Sequence, residues 1–331
     1  MRRARIKGEP GVAVAYYHCV SRIVDRRLVL EAREKEIFVR IMRGYEVYCG
    51  VRIITFCVMS NHFHILLEVP QRPPKELLPT DEELTDRLRK AQCSFGASNL
   101  EQRLAMLRAS GDEQRAEELR ERFFSTMWDV SYFMRVLKQR FSQWYNGAND
   151  RKDTLWEERF RSVVVEPDVA LQVVASYIDL NPVRAGLVDD PKEYRWCGYA
   201  EAVSGVNESR EAIALVMVGF TPSSSSIGER FSAYRCQLFE VGGISTANQA
   251  SREKRRGFSA GQIESVRAVG GRLGVGEALR CRIRRFTEGL VLGSVDFVEG
   301  YFQRYRHRFS AYRSWGARPI ECMAAADLHS F

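Results

Sequence analysis

The sequence predicts an α+β fold, an antiparallel sheet with helices packed on one side. Three observations carry this: the order of the N-terminal elements, two β-rich runs joined by a short turn, and an apolar share of 45% over 331 residues, enough for a packed core. Residues 13–23 (AVAYYHCVSRI) are apolar and aromatic and predict a first strand. Over residues 34–48 the apolar positions Ile37, Phe38, Ile41, Met42 and Tyr45 recur at helical spacing. Residues 51–59 (VRIITFCVM) are β-branched and aromatic, and residues 62–69 (HFHILLEV) alternate after a Ser60-Asn61 turn, which predicts a β-hairpin. Strand, helix, strand, strand in that order suits a sheet with one covered face.

A Pro-rich break over residues 71–80 (QRPPKELLPT) ends this run. Residues 81–124 are charged and helix-prone, with Leu84, Leu88, Leu104 and Leu107 as candidate buried positions. They read as a helical insertion whose mixed charges form a solvated face. An amphipathic helix begins near Asp129, with Phe133, Met134, Val136, Leu137 and Phe141 apolar and Arg135, Lys138 and Arg140 basic, and ends around Asn146-Gly147. Residues 155–165 (LWEERFRSVVV) predict another strand. A helix over residues 168–180 stops against Asn181-Pro182, because the residue before proline avoids the helical region. These elements assign residues 1–205 to one domain, with the insertion at about 72–127, and residues 206–331 to a basic, mostly helical region.

The formal charge is +8, which favours a polyanionic partner. Residues 251–314 hold 14 Lys/Arg against 6 Asp/Glu, a surplus equal to that of the whole chain. Helical runs at about 262–273, 277–288 and 295–306 predict a small bundle there. Arg280, Arg282, Arg284 and Arg285, with Tyr301, Tyr305 and Tyr312, could grip phosphates and stack on bases; the same pattern also suits a solubilising appendage. No apolar run approaches membrane-spanning length and the N-terminus lacks the apolar stretch of a signal peptide, so a cytoplasmic protein is expected. The eight cysteines are scattered without a C-x-x-C pair and read as reduced, small apolar fillers.

Two of the five histidines form His62-Phe63-His64. Strand side chains alternate, so both imidazoles point to one sheet face, about 7 Å apart along the backbone. They are either two unrelated strand histidines or a pair that converges on one divalent cation.

The stretch Val58-Met59-Ser60-Asn61-His62-Phe63-His64-Ile65-Leu66-Leu67 resembles the histidine–hydrophobic–histidine (HUH) motif of single-tyrosine transposases. Tyr177-Ile178-Asp179-Leu180-Asn181-Pro182-Val183-Arg184-Ala185-Gly186 resembles the tyrosine-bearing helix of REP-associated tyrosine transposases and other insertion-sequence-200-like transposases. Tyr17-His18-Cys19-Val20-Ser21-Arg22 is similar to the first strand of that family, and Leu155-Trp156-Glu157-Glu158-Arg159-Phe160 to the strand before its tyrosine helix. The four segments occur in the family's order and span about residues 12–200, interrupted by the insertion.

The resemblance implies a ferredoxin-like antiparallel sheet of the HUH nuclease kind, acting on single-stranded or hairpin DNA, including repeat-derived hairpins. It makes His62 and His64 metal ligands and Tyr177 the nucleophile that takes the 5′-phosphate while a 3′-OH leaves. Asn181 matches a polar position that completes the metal site. Tyr177 and Asn181 are four apart, which on one helix would place them on one face. An amide oxygen beside two histidines suits Mg²⁺ or Mn²⁺.

Tyr145, near the end of the preceding basic helix, is an alternative nucleophile. His18 is expected to pack or hydrogen-bond in the first strand, and Arg22, Arg159 and Arg161 are candidate phosphate contacts. Two other functions fit the same residues: an HUH replication initiator or relaxase-like nuclease, and a nucleic-acid-binding module without catalysis. The sequence is compatible with a monomer and with a homodimer.

Overall fold

A computed structural model describes residues 13–91, 93–167, 169–243 and 257–273, with shorter stretches between 292 and 330. The chain divides into two compact units, residues 1–178 and residues 179–331.

The first unit contains β1 (Val14–Arg22), α1 (Ala32–Cys49), β2 (Arg52–Val58), β3 (His62–Pro70), α2 (Asp81–Lys90), α3 (Ser94–Ala109), α4 (Glu113–Phe124), α5 (Val130–Ala148), β4 (Arg161–Val165) and α6 (Val169–Asp179). The strands form one sheet in the order β2-β3-β1-β4, and every neighbouring pair is antiparallel. This is the ferredoxin-like order, in which β1 and β3 lie inside and β2 and β4 are edges. The hairpin is closed at its turn by the Met59 N–H donating to the His62 carbonyl at 2.8 Å.

Alternation along β3 divides the sheet into two faces. Phe63 is fully buried, with its ring 4.6 Å from Phe38 of α1 and 5.5 Å from Trp156. Phe38 also meets Phe141 of α5 at 5.3 Å. The apolar stripe predicted for α5 (Phe133, Met134, Val136, Leu137, Phe141) is buried throughout. So α1 and α5 cover the Phe63 face with aromatic packing, the term that contributes most per residue to a core. α1 stops at Gly50, whose φ of 63° is left-handed. A Cβ there would also lie 2.7 Å from the indole nitrogen of Trp128.

The insertion is helical, as expected. Thr80 and Glu83 form a capping box at α2, and Asp112 caps α4. Leu84, Leu88 and Leu104 are buried, whereas Leu107 is only half-buried. Ion pairs tie the helices together, among them Arg120–Asp81 and Arg108–Asp81, both at 3.0 Å, with Arg72–Glu121 at 2.6 Å linking the Pro-rich segment to α4.

The strand expected over residues 155–165 is shorter. Only Arg161–Val165 pairs along β1, and Trp156 makes a single bridge to Ile23. The charged run Glu157-Glu158-Arg159 between them bends away from the sheet, where three consecutive charges could not all face water from a flat strand.

The helix expected over residues 168–180 forms with nearly those bounds. α6 ends at Asp179, and Asn181 opens the four-residue α7 (Asn181–Arg184). Pro182 has no N–H to give to a carbonyl one turn back, so it starts a helix and cannot continue one. Tyr177 and Asn181 therefore lie on two successive helices.

The second unit holds α7, α8 (Gly198–Val203), α9 (Asn207–Val216), α10 (Ile227–Val241) and α11 (Ala260–Ala268), and a helix over Val295–Arg304. Tyr199, Phe231 and Tyr234 are buried in it, and the Tyr234 hydroxyl donates to the buried Asp179 carboxylate at 2.6 Å. Arg235 and Lys192 both pair with Asp190, at 2.6 Å and 2.7 Å. The run expected at 277–288, with Arg280, Arg282, Arg284 and Arg285, lies outside the described residues, as do Tyr305 and Tyr312. Among the described residues no helix is long and apolar enough to cross a membrane. The described cysteines are free thiols, and Cys19, Cys49, Cys57 and Cys197 are buried.

Candidate active site

The sheet face opposite Phe63 carries the histidines. His62 and His64 are two apart on β3, and their ring centroids are 5.1 Å apart. β1 adds a third imidazole: His18 Nε2 lies 2.9 Å from His64 Nδ1, and the two rings stack with centroids 5.2 Å apart. Val20 is directly opposite His64 and His18 directly opposite Leu66 in the β1–β3 register, so His18 reaches His64 diagonally on the shared face. The expected hydrogen bond of His18 is thus made, and its partner is the central histidine.

α6 brings Tyr177 to this same face. Its ring centroid is 5.6 Å from that of His64 and 6.2 Å from that of His18. Tyr177 is 41% exposed. The alternative, Tyr145, is 7% exposed, and its ring packs on Phe141, on the face that holds Phe63. The structure places Tyr177 with the histidine pair and Tyr145 away from it.

All three imidazoles are held neutral at pH 7. Burial pushes His18 down to about 4. Burial, assisted by the charge of Arg22, pushes His62 down to about 4. His64 falls to about 3, first through burial and then through His18, His62 and Arg22. Arg22 stands opposite His62 in the β1–β3 register. A neutral imidazole keeps one lone pair, the form a metal requires.

Asn61 settles which nitrogen of His62 keeps that lone pair. Its side-chain Nδ2 donates to the Arg26 carbonyl at 3.2 Å, which orients the amide. Its Oδ1 then lies 2.6 Å from His62 Nδ1. An amide oxygen only accepts, so Nδ1 carries the proton and Nε2 is left with the lone pair. The carbonyl that anchors Asn61 belongs to an unusual turn: Asp25 and Arg26 take φ of 55° and 53°, left-handed values uncommon for residues other than glycine. Asn61 was legible in the sequence only as a turn residue; its position immediately before H-x-H was the available signal.

The donor set fits a weakly held cation. His62 and His64 can supply two neutral nitrogens. Among the described residues no group of three or more His, Cys, Asp or Glu side chains is arranged to hold a metal. Oxygens from water or substrate would have to complete such a site. Asn181, expected as a further ligand, opens α7 in the second unit. Of the candidate phosphate contacts, Arg161 is already paired with Glu158 at 2.6 Å, while Arg22 lies beside the histidines and Arg159 lines a separate pocket.

Residues 12–77 match the family model described as IS200-like transposase. No curated protein matches the chain. Among solved structures, a REP-associated tyrosine transposase bound to a REP hairpin is 13% identical; the match covers 68% of this chain and 92% of that one, with a TM-score of 0.39. The crystal structure of an inferred transposase from Deinococcus radiodurans R1 is 14% identical, covering 53% of this chain and 96% of that one, with a TM-score of 0.26. Over the segment that holds β1, α1, β2 and the histidine pair of β3, the chain carries the sequence signature of the IS200-like transposase family.

Proposed function

We propose that the chain is a DNA endonuclease and strand transferase of the transposase type, cutting and rejoining single-stranded or hairpin DNA through a covalent phosphotyrosine on Tyr177. The observation that carries this reading is the placement of the exposed Tyr177 ring 5.6 Å from His64, on the face that also holds His62. The net charge of +8 and the family match over residues 12–77 support a DNA substrate.

A phosphodiester resists attack because its oxygens are negatively charged. A divalent cation, Mg²⁺ or Mn²⁺, held by His62 and His64 with oxygens of water or substrate would offset that charge and fix the line of approach. Arg22, at the same end of the site, adds a fixed positive charge toward the phosphate. The Tyr177 oxygen forms a bond to phosphorus as the bond from phosphorus to the 3′ oxygen breaks. The phenol's proton passes to water and the departing 3′ oxygen takes one up, so the step is balanced in charge. The 5′ end is then held as a phosphotyrosine. Attack by a 3′-hydroxyl reverses the step and reseals a strand without an external energy source, because a phenol is a better leaving group than an alcohol.

The test is incubation of the protein with labelled hairpin DNA and Mg²⁺ or Mn²⁺, followed by denaturing electrophoresis. A denaturant-resistant adduct is expected with wild type and Tyr145→Phe and is absent with Tyr177→Phe. Binding without an adduct in wild type would leave a non-catalytic nucleic-acid-binding protein. An adduct that survives Tyr177→Phe would remove the assigned nucleophile.

A further inference from the structure

A second feature of the first unit lies away from the histidine face. The N-terminal half of α5, the turn before it and residues 159–160 enclose a pocket of about 600 Å³, within the range of sites that hold a drug-sized or nucleotide-sized group. Arg135, Lys138 and Arg159 line it beside the aromatic rings of Tyr132 and Phe160. Its acidic group, Asp129, is engaged in capping α5, accepting from the Tyr132 N–H at 2.8 Å.

The two arginines are exposed, and among the described residues neither has a carboxylate partner. Several other arginines of the unit differ in this. Arg72, Arg89, Arg108, Arg120 and Arg161 are all ion-paired. Glu158, adjacent in sequence to Arg159, is committed to Arg161 at 2.6 Å. The Arg135 guanidinium lies 5.0 Å from the centre of the Tyr132 ring, which holds it in place without neutralising it. Two unneutralised guanidinium forks next to an aromatic face are the chemistry that takes a phosphate and the base attached to it.

Position gives the pocket its role. Arg159 is four residues before Val163, which stands opposite His18 in the sheet. Four residues of extended chain span at most about 14 Å. A strand lying on the histidine face therefore needs only a few more nucleotides to reach the pocket around the β4 edge.

We propose that this pocket binds a nucleotide of the single-stranded DNA flanking the cut site, with its phosphate between Arg135 and Arg159 and its base against Tyr132. The proposal rests on the DNA-cleaving function proposed for the histidine face. It adds a grip on the strand outside that centre.

The test measures binding of a single-stranded oligonucleotide of about 20 nucleotides by fluorescence anisotropy in EDTA, across a salt series. The proteins are wild type, the double variant Arg135→Ala/Arg159→Ala, the matching double lysine variant and Tyr132→Ala. Loss of the one phosphate held between the two arginines should reduce the slope of log K against log salt by about 0.7. Affinity of the double alanine variant should fall about ten-fold or more, and the lysine pair should keep the wild-type slope. Tyr132→Ala should weaken binding about ten-fold with the slope unchanged.

An unchanged slope in the double alanine variant overturns the proposal, whether or not affinity falls, because neither arginine would then meet a phosphate. Failure of wild type to bind overturns it too, as does a preference for RNA of the same sequence. The two readings fail separately. Wild type that binds with the expected slopes but forms no adduct refutes the phosphotyrosine and leaves the pocket; an adduct with unchanged slopes refutes the pocket alone.

Discussion

Asn61 Oδ1 lies 2.6 Å from His62 Nδ1, and the same amide is anchored on the Arg26 carbonyl at 3.2 Å. A turn residue thereby fixes the tautomer of its neighbour and leaves the lone pair of His62 on Nε2. Replacing it with alanine frees the ring without disturbing a buried core contact. Asn61→Ala should lower Mn²⁺ affinity and the rate of adduct formation by about 10- to 100-fold, with the melting temperature little changed. Asn61→Asp, which still accepts from Nδ1, should recover part of the loss. Titration calorimetry with Mn²⁺ reads this directly; equal affinity in Asn61→Ala and wild type would exclude the role.

Phe63 and His62 are neighbours with opposite duties, which makes a paired prediction. Phe63 is fully buried against Phe38 and Trp156. Phe63→Ala should cost about 3–5 kcal/mol of stability through lost burial and the cavity left behind. His62→Ala should cost less than about 1 kcal/mol and abolish the adduct. Denaturant unfolding of the two variants, set beside the adduct assay, separates these effects.

Gly50 combines a φ of 63° with the indole of Trp128 where a Cβ would go. Gly50→Ala should destabilise the first unit by at least about 1–2 kcal/mol. A thermal shift no larger than that of Gly147→Ala, where a Cβ would meet nothing, would show that the end of α1 adjusts freely.

Asp190 links the second unit to pH. Burial alone would raise its carboxyl, but the Arg235 hydrogen bond and the charges of Arg235 and Lys192 outweigh this and hold it below the usual carboxylate range. A carboxyl depressed in the folded state contributes stability that is present above the unfolded pKa of about 3.9 and lost as pH falls through the folded value. Stability measured by urea unfolding should therefore decline below about pH 4. Asp190→Asn should flatten that acid limb and lower stability at neutral pH, because Arg235 is left buried beside a neutral group. An unaltered acid limb in Asp190→Asn would assign the pH dependence to other carboxylates.

The sheet and its covering helices were legible because their signals are periodic. Phe38, Ile41, Met42 and Tyr45 repeat at helical spacing, and the two arms of the hairpin alternate; the buried positions follow directly. The expected strand from Leu155 overran because Trp156 and Phe160 are buried anchors on either side of a charged bend, and burial alone does not report pairing. The helix bearing Tyr177 ends where Asn181-Pro182 was expected to stop it, but Asn181 opens a new helix and does not share that helix's face. At the site, His62 and His64 share a face as their spacing requires. The link of His18 to His64 depends on β1–β3 register, and that of Asn61 to His62 on a turn anchored to Arg26; both are set by tertiary pairing, which a single sequence does not display.

Because β3 is bonded on both sides, to β1 and to β2, its register is locked and its residues sort into two classes by parity. Even-numbered positions such as 62 and 64 face the side that holds Tyr177, and odd ones such as 63 and 65 face the core. A point substitution in this strand can therefore damage either yield or activity with little effect on the other. A one-residue insertion between Met59 and His62 would do both at once, sending aromatic side chains to the solvent face and imidazoles into the core. This nine-residue strand should accordingly tolerate substitution at many positions and changes in length at none.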